Sequence, residues 1–357
     1  MQESHDAPLS EHTTMRVGGP AQRLVVVETI DELVDAVREV DDAQEPLLVL
    51  GGGSNLVIAD GGFAGTVVKV ATSGIEPESV DYCGGAMVRV AAGEVWDDLV
   101  SRAVAEGWSG IEALSGIPGS TGATPVQNVG AYGQEVSQTI ARVRVWDRGT
   151  QEVRTMSASQ CDFTYRHSLF KSSSNFVVLD VTFQFVVADL SQPIAYADLA
   201  AGLGVDIGAR VPLGDAREAV LEQRRRRGMV LDAADHDTWS CGSFFTNPIM
   251  SADRFESLEE RVRSELGAEA PAPPRFSDAS GAVKTSAAWL IDKAGFGKGF
   301  GMPGPAALST KHTLAVTNRG SATAADVATL ARQVRDGVHD RFGVTLVNEP
   351  VFVGHDL

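Results

Sequence analysis

The sequence predicts a protein of mixed α and β structure, rich in strands up to about residue 190 and more helical in its last third. Three observations support this prediction. Short β-branched and apolar runs recur through the first half, apolar residues follow helical spacing after residue 250, and two glycine-rich segments interrupt the first half. With 357 residues, of which 43% are hydrophobic, the chain can form two or three sub-domains with a substantial core.

The elements of the first part follow from local patterns. A helix should begin where Thr29 and Glu32 are spaced as a capping box, and a second helix over about 95–106 should stop at Gly107. The region 195–214 is expected to be a connector that carries Tyr196, followed by a basic helix ending at 224–227. Strands are predicted at 24–28, 46–50, 66–70, 86–92, 143–146 and 176–188.

The last third is predicted to be a separate lobe. Apolar spacing and cap residues indicate helices over 251–266, 286–294 and 324–342, with a loop at 267–274 between the first two. A final apolar strand is expected over 346–354, with Glu349 as its one carboxylate.

Charge and composition exclude several classes of function. The net charge of −17 argues against broad binding to nucleic acid or to an anionic membrane, because the protein would repel a polyanion everywhere except at local basic clusters. Three widely spaced cysteines predict neither a metal site nor a disulfide framework. The N-terminus lacks a basic and then apolar signal, and no apolar run of about 18 residues occurs, so a cytoplasmic location is predicted.

Two glycine-rich segments predict a site for one large cofactor. LGGGSN at 50–55 directly follows a predicted strand, and IPGSTGATPVQNVGAYG occupies 117–133. Glycine lets main-chain N–H groups approach a diphosphate or a flavin edge without a Cβ in the way. The first segment lacks both the Gly-Lys-Ser/Thr of a P-loop and the third glycine of a dinucleotide fingerprint. A plain surface loop is the alternative for the second segment.

Three further segments contain candidate catalytic residues. Arg166, in YRHSLFK, has a permanently charged guanidinium that could bind a carboxylate or an enolate, although a solvated turn is the alternative. Ser243, in CGSFFTNP, lacks a nucleophile elbow and could anchor a ligand or donate a proton to a strongly basic partner; a buried structural serine is equally compatible. Glu349, in NEPVFVG, could act as an acid if it is buried, or simply face water.

The order of these segments resembles that of a known family. LGGGSNLVIAD, GIPGSTGATPVQNVGAYG, YRHSLFK, GSFFTNP, AAWLIDKAG, LSTKHTLAVTN and NEPVFVG occur as in the UDP-N-acetylenolpyruvoylglucosamine reductase (MurB) family, over nearly the whole chain. The resemblance implies an α+β protein with an FAD-binding fold of the vanillyl-alcohol-oxidase type in two sub-domains, followed by a C-terminal α+β substrate-binding lobe. It places the sub-domains at 1–80 and 81–205 and the lobe at 206–344, with the strand near 345–357 returning to the active site.

The resemblance also implies a reaction. NADPH reduces bound FAD, and hydride then passes from flavin N5 to the enolpyruvyl ether of UDP-N-acetylglucosamine. Arg166 and Glu349 would stabilise the resulting enolate, and Ser243 would protonate its α-carbon to give UDP-N-acetylmuramate, a peptidoglycan precursor. The implied FAD contacts, through side chains or backbone, are Gly51, Gly52, Gly53, Ser54, Asn55, Ile117, Gly119, Ser120, Gly122, Gln127, Asn128, Gly130 and Tyr132.

Substrate contacts are expected at Tyr165, Tyr196, Arg227 and Asn247. Tyr196 resembles the loop tyrosine of the longer subtype of the family. Arg227 stands where a family lysine is expected, and Val351 stands where some members have an arginine. A monomer is expected. Two alternatives remain: an FAD-dependent sugar or lactone oxidase of the same flavin fold, and a non-catalytic FAD or UDP-sugar binding module.

Overall fold

The computed structural model describes residues 1–81, 83–277 and 281–357. The helices are α1 (Ile30–Asp42), α2 (Trp96–Ala105), α3 (Leu169–Ser172), α4 (Ala197–Leu203), α5 (Leu213–Arg226), α6 (Ala252–Leu266), α7 (Ala287–Lys293) and α8 (Ala324–Phe342). The strands are β1 (Gln2–Pro8), β2 (Pro20–Val27), β3 (Leu47–Leu50), β4 (Leu56–Ile58), β5 (Phe63–Val70), β6 (Ile75–Asp81), β7 (Gly85–Ala91), β8 (Trp108–Ser109), β9 (Gly130–Ala131), β10 (Gln134–Glu135), β11 (Ile140–Asp147), β12 (Glu152–Ser157), β13 (Phe176–Val187), β14 (Ile249–Met250), β15 (Phe276–Ser277), β16 (Val283–Lys284), β17 (Ala306–Leu308), β18 (Val316–Asn318) and β19 (Val351–Val353).

The chain divides into two compact units. The first comprises Met1–Pro8, Pro20–Gly53 and Phe63–Val230, and the second comprises Leu9–Gly19, Ser54–Gly62 and Leu231–Leu357. Residues 206–230 lie in the first unit, whereas the resemblance implies a substrate-binding lobe that begins at residue 206; the bounds of that lobe stay a prediction. These residues belong to the first unit because α5 packs on α4 and α2. The division of the first unit into sub-domains at residue 80 stays a prediction.

Two sheets form most of the first unit. The first has the strand order β1-β2-β5-β3, in which β5 runs parallel to both β2 and β3. The second has the order β12-β11-β13-β7-β6 and is antiparallel along this path. Its central strand β13 is buried along most of its length, which explains its nearly continuous apolar sequence.

The predicted helices of this unit are confirmed, with one local correction. The face of α1 that carries Leu33, Val37 and Val40 is buried, and the Thr29 hydroxyl accepts a hydrogen bond from the Glu32 N–H. The Glu32 carboxylate, however, accepts from the N–H of Glu28, one residue before the cap. The predicted reciprocal capping box is therefore only half formed, because the Glu32 side chain reaches beyond the cap residue.

Two other sequence predictions differ from the structure. The connector over 195–214 contains helix α4, which ends at Gly204 in a left-handed conformation. The strand predicted over 346–354 is limited to β19, which pairs in parallel with β4. Glu349 lies before this strand, where the chain bends ahead of Pro350.

The second unit has a helical core with short strands. Helix α8 buries Val327, Val334 and Val338 on one face, as its apolar spacing predicts, and α6 and α7 pack against it. The core also contains Phe244 and Phe245, which follow Ser243. Among the described residues, no helix is long and apolar enough to cross a membrane.

Candidate active site

The two glycine-rich segments lie against each other in the first unit. A Cβ on Gly51 would lie 2.4 Å from the hydroxyl of Ser120, and a Cβ on Gly52 would lie 2.5 Å from the Cα of Gly119. A side chain at Gly52 cannot fit without moving the facing backbone, and one at Gly51 would displace the Ser120 hydroxyl. The sequence predicted that both segments serve one ligand, and the structure places them in direct contact.

A cavity of about 140 Å³ opens beside this contact. Its walls come from both sheets of the first unit, and most of the lining residues have apolar side chains, with Ser120 as the hydroxyl-bearing one. An apolar slot with a few polar groups suits a flat aromatic ligand. The lining residues are Val49, Gly51, Val70, Ala92, Ser120, Gly122, Ala123, Val126, Phe170, Phe176, Val177 and Val178.

The second glycine segment is fixed to the connection between β7 and α2. The N–H groups of Thr121 and Gly122 donate to the carbonyls of Glu94 and Ala92 at 2.8 Å each. Farther along, Gly130 and Glu135 pair across a tight turn whose central residues, Tyr132 and Gly133, have φ values of 50° and 89°. Two successive positive φ values are typical of the hairpin turns that glycine favours.

The side chain of Asn128 is engaged by protein groups. Asn128 is buried with φ 46°, and its amide donates to the carboxylate of Glu135 at 2.9 Å and to the carbonyl of Thr164 at 3.1 Å. Its oxygen accepts from the N–H of Ser137. Asn128 thus joins the glycine segment to the turn that precedes Arg166. Ile117 and Gln127, also predicted to contact FAD, are half-buried.

Arg166 lies beside this hairpin. Its Nη2 donates to the carbonyl of Gly130 at 2.7 Å, and Nη1 would lie 3.2 Å from a Cβ on Gly130. The Lys171 ammonium donates to the Arg166 carbonyl, and the guanidinium carbon lies 5.2 Å from the ring centre of Tyr165. Arg166 has φ 54°, a conformation uncommon for residues other than glycine. The tertiary structure therefore holds Arg166 against the end of the predicted flavin segment.

Two predicted ligand residues, Tyr132 and Tyr196, meet edge to face with ring centres 5.8 Å apart. Tyr196 is 51% exposed, and burial raises the pKa of Tyr132. Arg227 pairs with Asp198 at 2.8 Å. Each of these residues is in the first unit.

Arg224, which the sequence did not distinguish from its neighbours, is a half-buried cation in this region whose Nε is fully buried. Burial lowers the pKa of Arg224 to about 10, so the guanidinium is still charged at neutral pH. Its Nη2 donates to the carbonyl of Met229, while its buried Nε has no hydrogen-bond partner among the described residues. The nearby carboxylate of Asp97 is held by Arg217 through two bonds of 2.7 and 2.8 Å. A desolvated cation with an unsatisfied donor favours an anionic ligand.

Ser243 and Glu349 lie in adjacent segments of the second unit. The carbonyl of Phe244 accepts from the N–H of Glu349 at 2.9 Å, and the N–H of Thr246 donates to the carbonyl of Val347 at 2.9 Å. Ser243 follows Gly242, which has φ 74°, and is itself half-buried. The structure therefore brings the predicted proton donor and the predicted carboxylate together across 106 positions of sequence.

Asn55 connects a third segment to this pair. Its side-chain amide donates to the carbonyl of Glu349 at 3.2 Å, and its own carbonyl accepts from the N–H of Val351 at 2.9 Å. Ser54 and Asn55 thus belong to the second unit, although the glycines before them belong to the first. The sequence linked Asn55 only to the cofactor and gave no signal that it fixes the backbone of Glu349.

Other predicted residues of the second unit have structural contacts. The side-chain oxygen of Asn247 accepts from the N–H of Ala287, the first residue of α7. Val351 is exposed on β19. The buried thiol of Cys241 donates to the carbonyl of Leu56, and burial raises the pKa of Cys241 to about 12, so it is not a thiolate at neutral pH.

Comparisons with known proteins agree with this arrangement. A family model described as "FAD binding domain" matches residues 21–157, and one described as "UDP-N-acetylenolpyruvoylglucosamine reductase, C-terminal domain" matches residues 233–353. The chain is similar to the UDP-N-acetylenolpyruvoylglucosamine reductase of Thermobifida fusca, with 57% identity over 98% of each chain. The enzyme of that name from Streptomyces avermitilis is also 57% identical, over 100% of this chain and 96% of its own.

A solved structure is similar over the same extent. The UDP-N-acetylenolpyruvylglucosamine reductase of Thermus caldophilus superposes with a TM-score of 0.64 at 26% identity, covering 99% of this chain and 98% of its own. Full-length similarity at this level of identity extends through both units and all the segments described above. The chain belongs to the UDP-N-acetylenolpyruvoylglucosamine reductase family.

Proposed function

We propose that this FAD-dependent oxidoreductase reduces the enolpyruvyl ether of UDP-N-acetylglucosamine to UDP-N-acetylmuramate, and that Arg166, Ser243 and Glu349 act on the substrate. The observation that carries the assignment of residues is the backbone bond between Phe244 and Glu349, which brings a serine and a carboxylate together. Family membership supports the reaction, its place in peptidoglycan precursor synthesis, and NADPH as the reductant.

The first unit has groups suited to FAD. The absence of side chains at Gly51 and Gly52 lets the two glycine segments pack together, main-chain N–H groups of such segments can bind a diphosphate, and the cavity lined mostly by apolar residues suits an aromatic ring. We infer that Gly51, Gly52, Ser120 and Gly122 contribute to this binding. When bound, FAD accepts electrons from NADPH and supplies the hydride that the enolpyruvyl group receives.

Each catalytic side chain has a distinct role in this proposal. The guanidinium of Arg166, fixed by the Gly130 carbonyl, neutralises the charge that develops on the substrate as it becomes an enolate. Glu349, whose backbone is fixed by bonds to Phe244 and Asn55, helps to stabilise the enolate through its carboxyl group. Ser243 gives its proton to the α-carbon of the enolate. A serine hydroxyl is a weak acid, so it can protonate only such a strongly basic carbon in a site that excludes water.

A second group of residues is proposed to bind the nucleotide end of the substrate. The hydroxyl of the exposed Tyr196 and the guanidinium groups of Arg227 and the half-buried Arg224 offer donors for a diphosphate. Tyr165 and Asn247 are proposed as further contacts. Tyr196 would make the chain a member of the longer subtype, and we propose a monomer in the cytoplasm.

An anaerobic experiment tests the proposal. Stoichiometric NADPH should bleach the flavin of the purified protein, and UDP-N-acetylglucosamine enolpyruvate should restore its absorbance in the absence of oxygen. If the colour returns only when air is admitted, the protein is an oxidase. Flavin binding without reduction by NADPH would instead identify a binding module.

A further inference from the structure

Lys69 is a half-buried cation next to the first glycine segment. It lies in β5 between Val68 and Val70, and its ammonium donates to the main-chain carbonyl of Gly51. Burial lowers the pKa of Lys69, and no carboxylate of the described residues offsets this effect. Placing an ammonium in such a setting costs free energy, which distinguishes Lys69 from the exposed, ion-paired cations of this chain.

The geometry of the strand determines which way the Gly51 peptide faces. Val70 lines the cavity beside the glycine segments, as does Gly51. Because successive strand residues point to opposite faces of a sheet, Lys69 points away from the cavity. The carbonyl of Gly51 therefore points toward that opposite face. In a planar trans peptide the C=O and N–H point in opposite directions, so the N–H of Gly52 points toward the cavity side.

We propose that Lys69 is a positioning residue for FAD: it holds the Gly51–Gly52 peptide so that the N–H of Gly52 faces the flavin diphosphate. A cationic donor on the carbonyl also polarises the peptide, which makes its N–H a stronger donor to an anion. This inference rests on the proposed binding of FAD at the glycine segments. In contrast, if the bond from Lys69 to Gly51 only stabilises the end of strand β3, replacing Lys69 should change the stability of the apoprotein and not its affinity for FAD.

The test compares FAD affinities of the apoprotein, measured from the quenching of flavin fluorescence. Lys69→Met removes the charge and leaves an unbranched side chain one atom shorter, and Lys69→Arg keeps a cationic donor. Lys293→Met, which removes a lysine that pairs with Asp292 on α7, is the matched control. We expect Lys69→Met to raise the dissociation constant of FAD at least tenfold. Lys69→Arg should remain within threefold of the wild type and Lys293→Met within twofold.

Urea unfolding of the four apoproteins separates positioning from stability. The proposal expects Lys69→Met to keep the unfolding midpoint of the wild-type apoprotein, because methionine tolerates burial without the cost of desolvating a charge. FAD binding by Lys69→Met within twofold of the wild type would overturn it. The proposal would also be overturned if Lys69→Met lowered the urea unfolding midpoint and Lys69→Arg lost as much FAD affinity as Lys69→Met. Failure of the wild-type apoprotein to bind FAD would instead contradict the proposed function.

Discussion

Adding one methyl group at Gly52 should separate the two glycine segments and weaken FAD binding. The Cβ of Gly52→Ala would lie 2.5 Å from the Cα and 2.9 Å from the carbonyl carbon of Gly119. Carbon atoms pack at about 3.5–4.0 Å, so the facing backbones must move apart by roughly 1 Å. Gly52 does not have a positive φ, so the effect is steric and does not come from backbone strain.

The size of the effect follows from the cost of overpacking. Inserting a methyl group against fixed backbone costs about 1–3 kcal/mol, because the neighbouring groups cannot rotate away as a flexible side chain would. If this strain is relieved by moving the segments apart, the loss appears in FAD affinity as a rise of roughly 5- to 150-fold in the dissociation constant. If the segments stay in place, the loss appears as a lower free energy of unfolding.

Two measurements distinguish these outcomes: the ratio of flavin to protein absorbance after gel filtration, and urea unfolding of the apoprotein. Gly61→Ala is a matched control, because a Cβ at Gly61 meets no atom of the described residues within 4 Å and its φ is also not positive. Gly52→Ala should show lower flavin content, lower stability or both, relative to Gly61→Ala. The reasoning is refuted if the two variants match in both measurements.

Three further predictions concern individual side chains. Ser243→Ala should leave flavin reduction by NADPH intact and slow reoxidation by the enolpyruvyl substrate by at least about 100-fold in stopped flow, since general acid catalysis typically contributes about 10²–10⁴; normal product formation would remove Ser243 from the mechanism. Arg224→Gln should weaken UDP binding about tenfold or more in calorimetry, because a desolvated cation is lost. Arg225→Gln, which removes an exposed ion pair, should leave UDP binding unchanged. Equal UDP affinities of the two variants would contradict the role of Arg224. Asp237 is 4% exposed, and its carboxylate accepts hydrogen bonds from Thr310 and Arg319. Burial raises the pKa of Asp237, but these bonds outweigh burial and lower the pKa overall. The carboxylate therefore stabilises the fold above the unfolded pKa of about 3.9, and this stabilisation is lost as pH falls through the lower folded pKa. Asp237→Asn should therefore cost about 1.5–3 kcal/mol in urea at pH 7, with the difference from wild type shrinking near pH 3; a difference that does not change with pH would contradict this.

The sequence by itself determined the elements with strong local signals. Helix α8 has caps at both ends and an uninterrupted apolar stripe, so its limits follow from residues within the helix. Strand β13 is apolar because both of its faces are buried, and its sequence shows this directly. The segments that contain Arg166, Ser243 and Glu349 could also be found, because their order along the chain is specific to a family.

Weaker local signals gave incomplete predictions. Glu349 was assigned to a strand because apolar residues surround it, but only Val351–Val353 finds a partner strand. Helix α4 was missed since its small residues and glycine read as a connector, whereas packing against α5 stabilises it. In both cases a non-local contact decided the local structure.

Only the tertiary structure decided how distant side chains meet. Asn55 fixes the backbone of Glu349 from 294 positions away, and Phe244 does so from another segment. Lys69 and Arg224 look like ordinary charged residues in the sequence, and burial alone distinguishes them. The physical reason is that periodicity and capping act over a few residues, whereas desolvation and hydrogen bonding depend on whatever the folded chain brings near. The sequence therefore determined which residues are available for chemistry, and the fold determined which of them are buried, held and oriented.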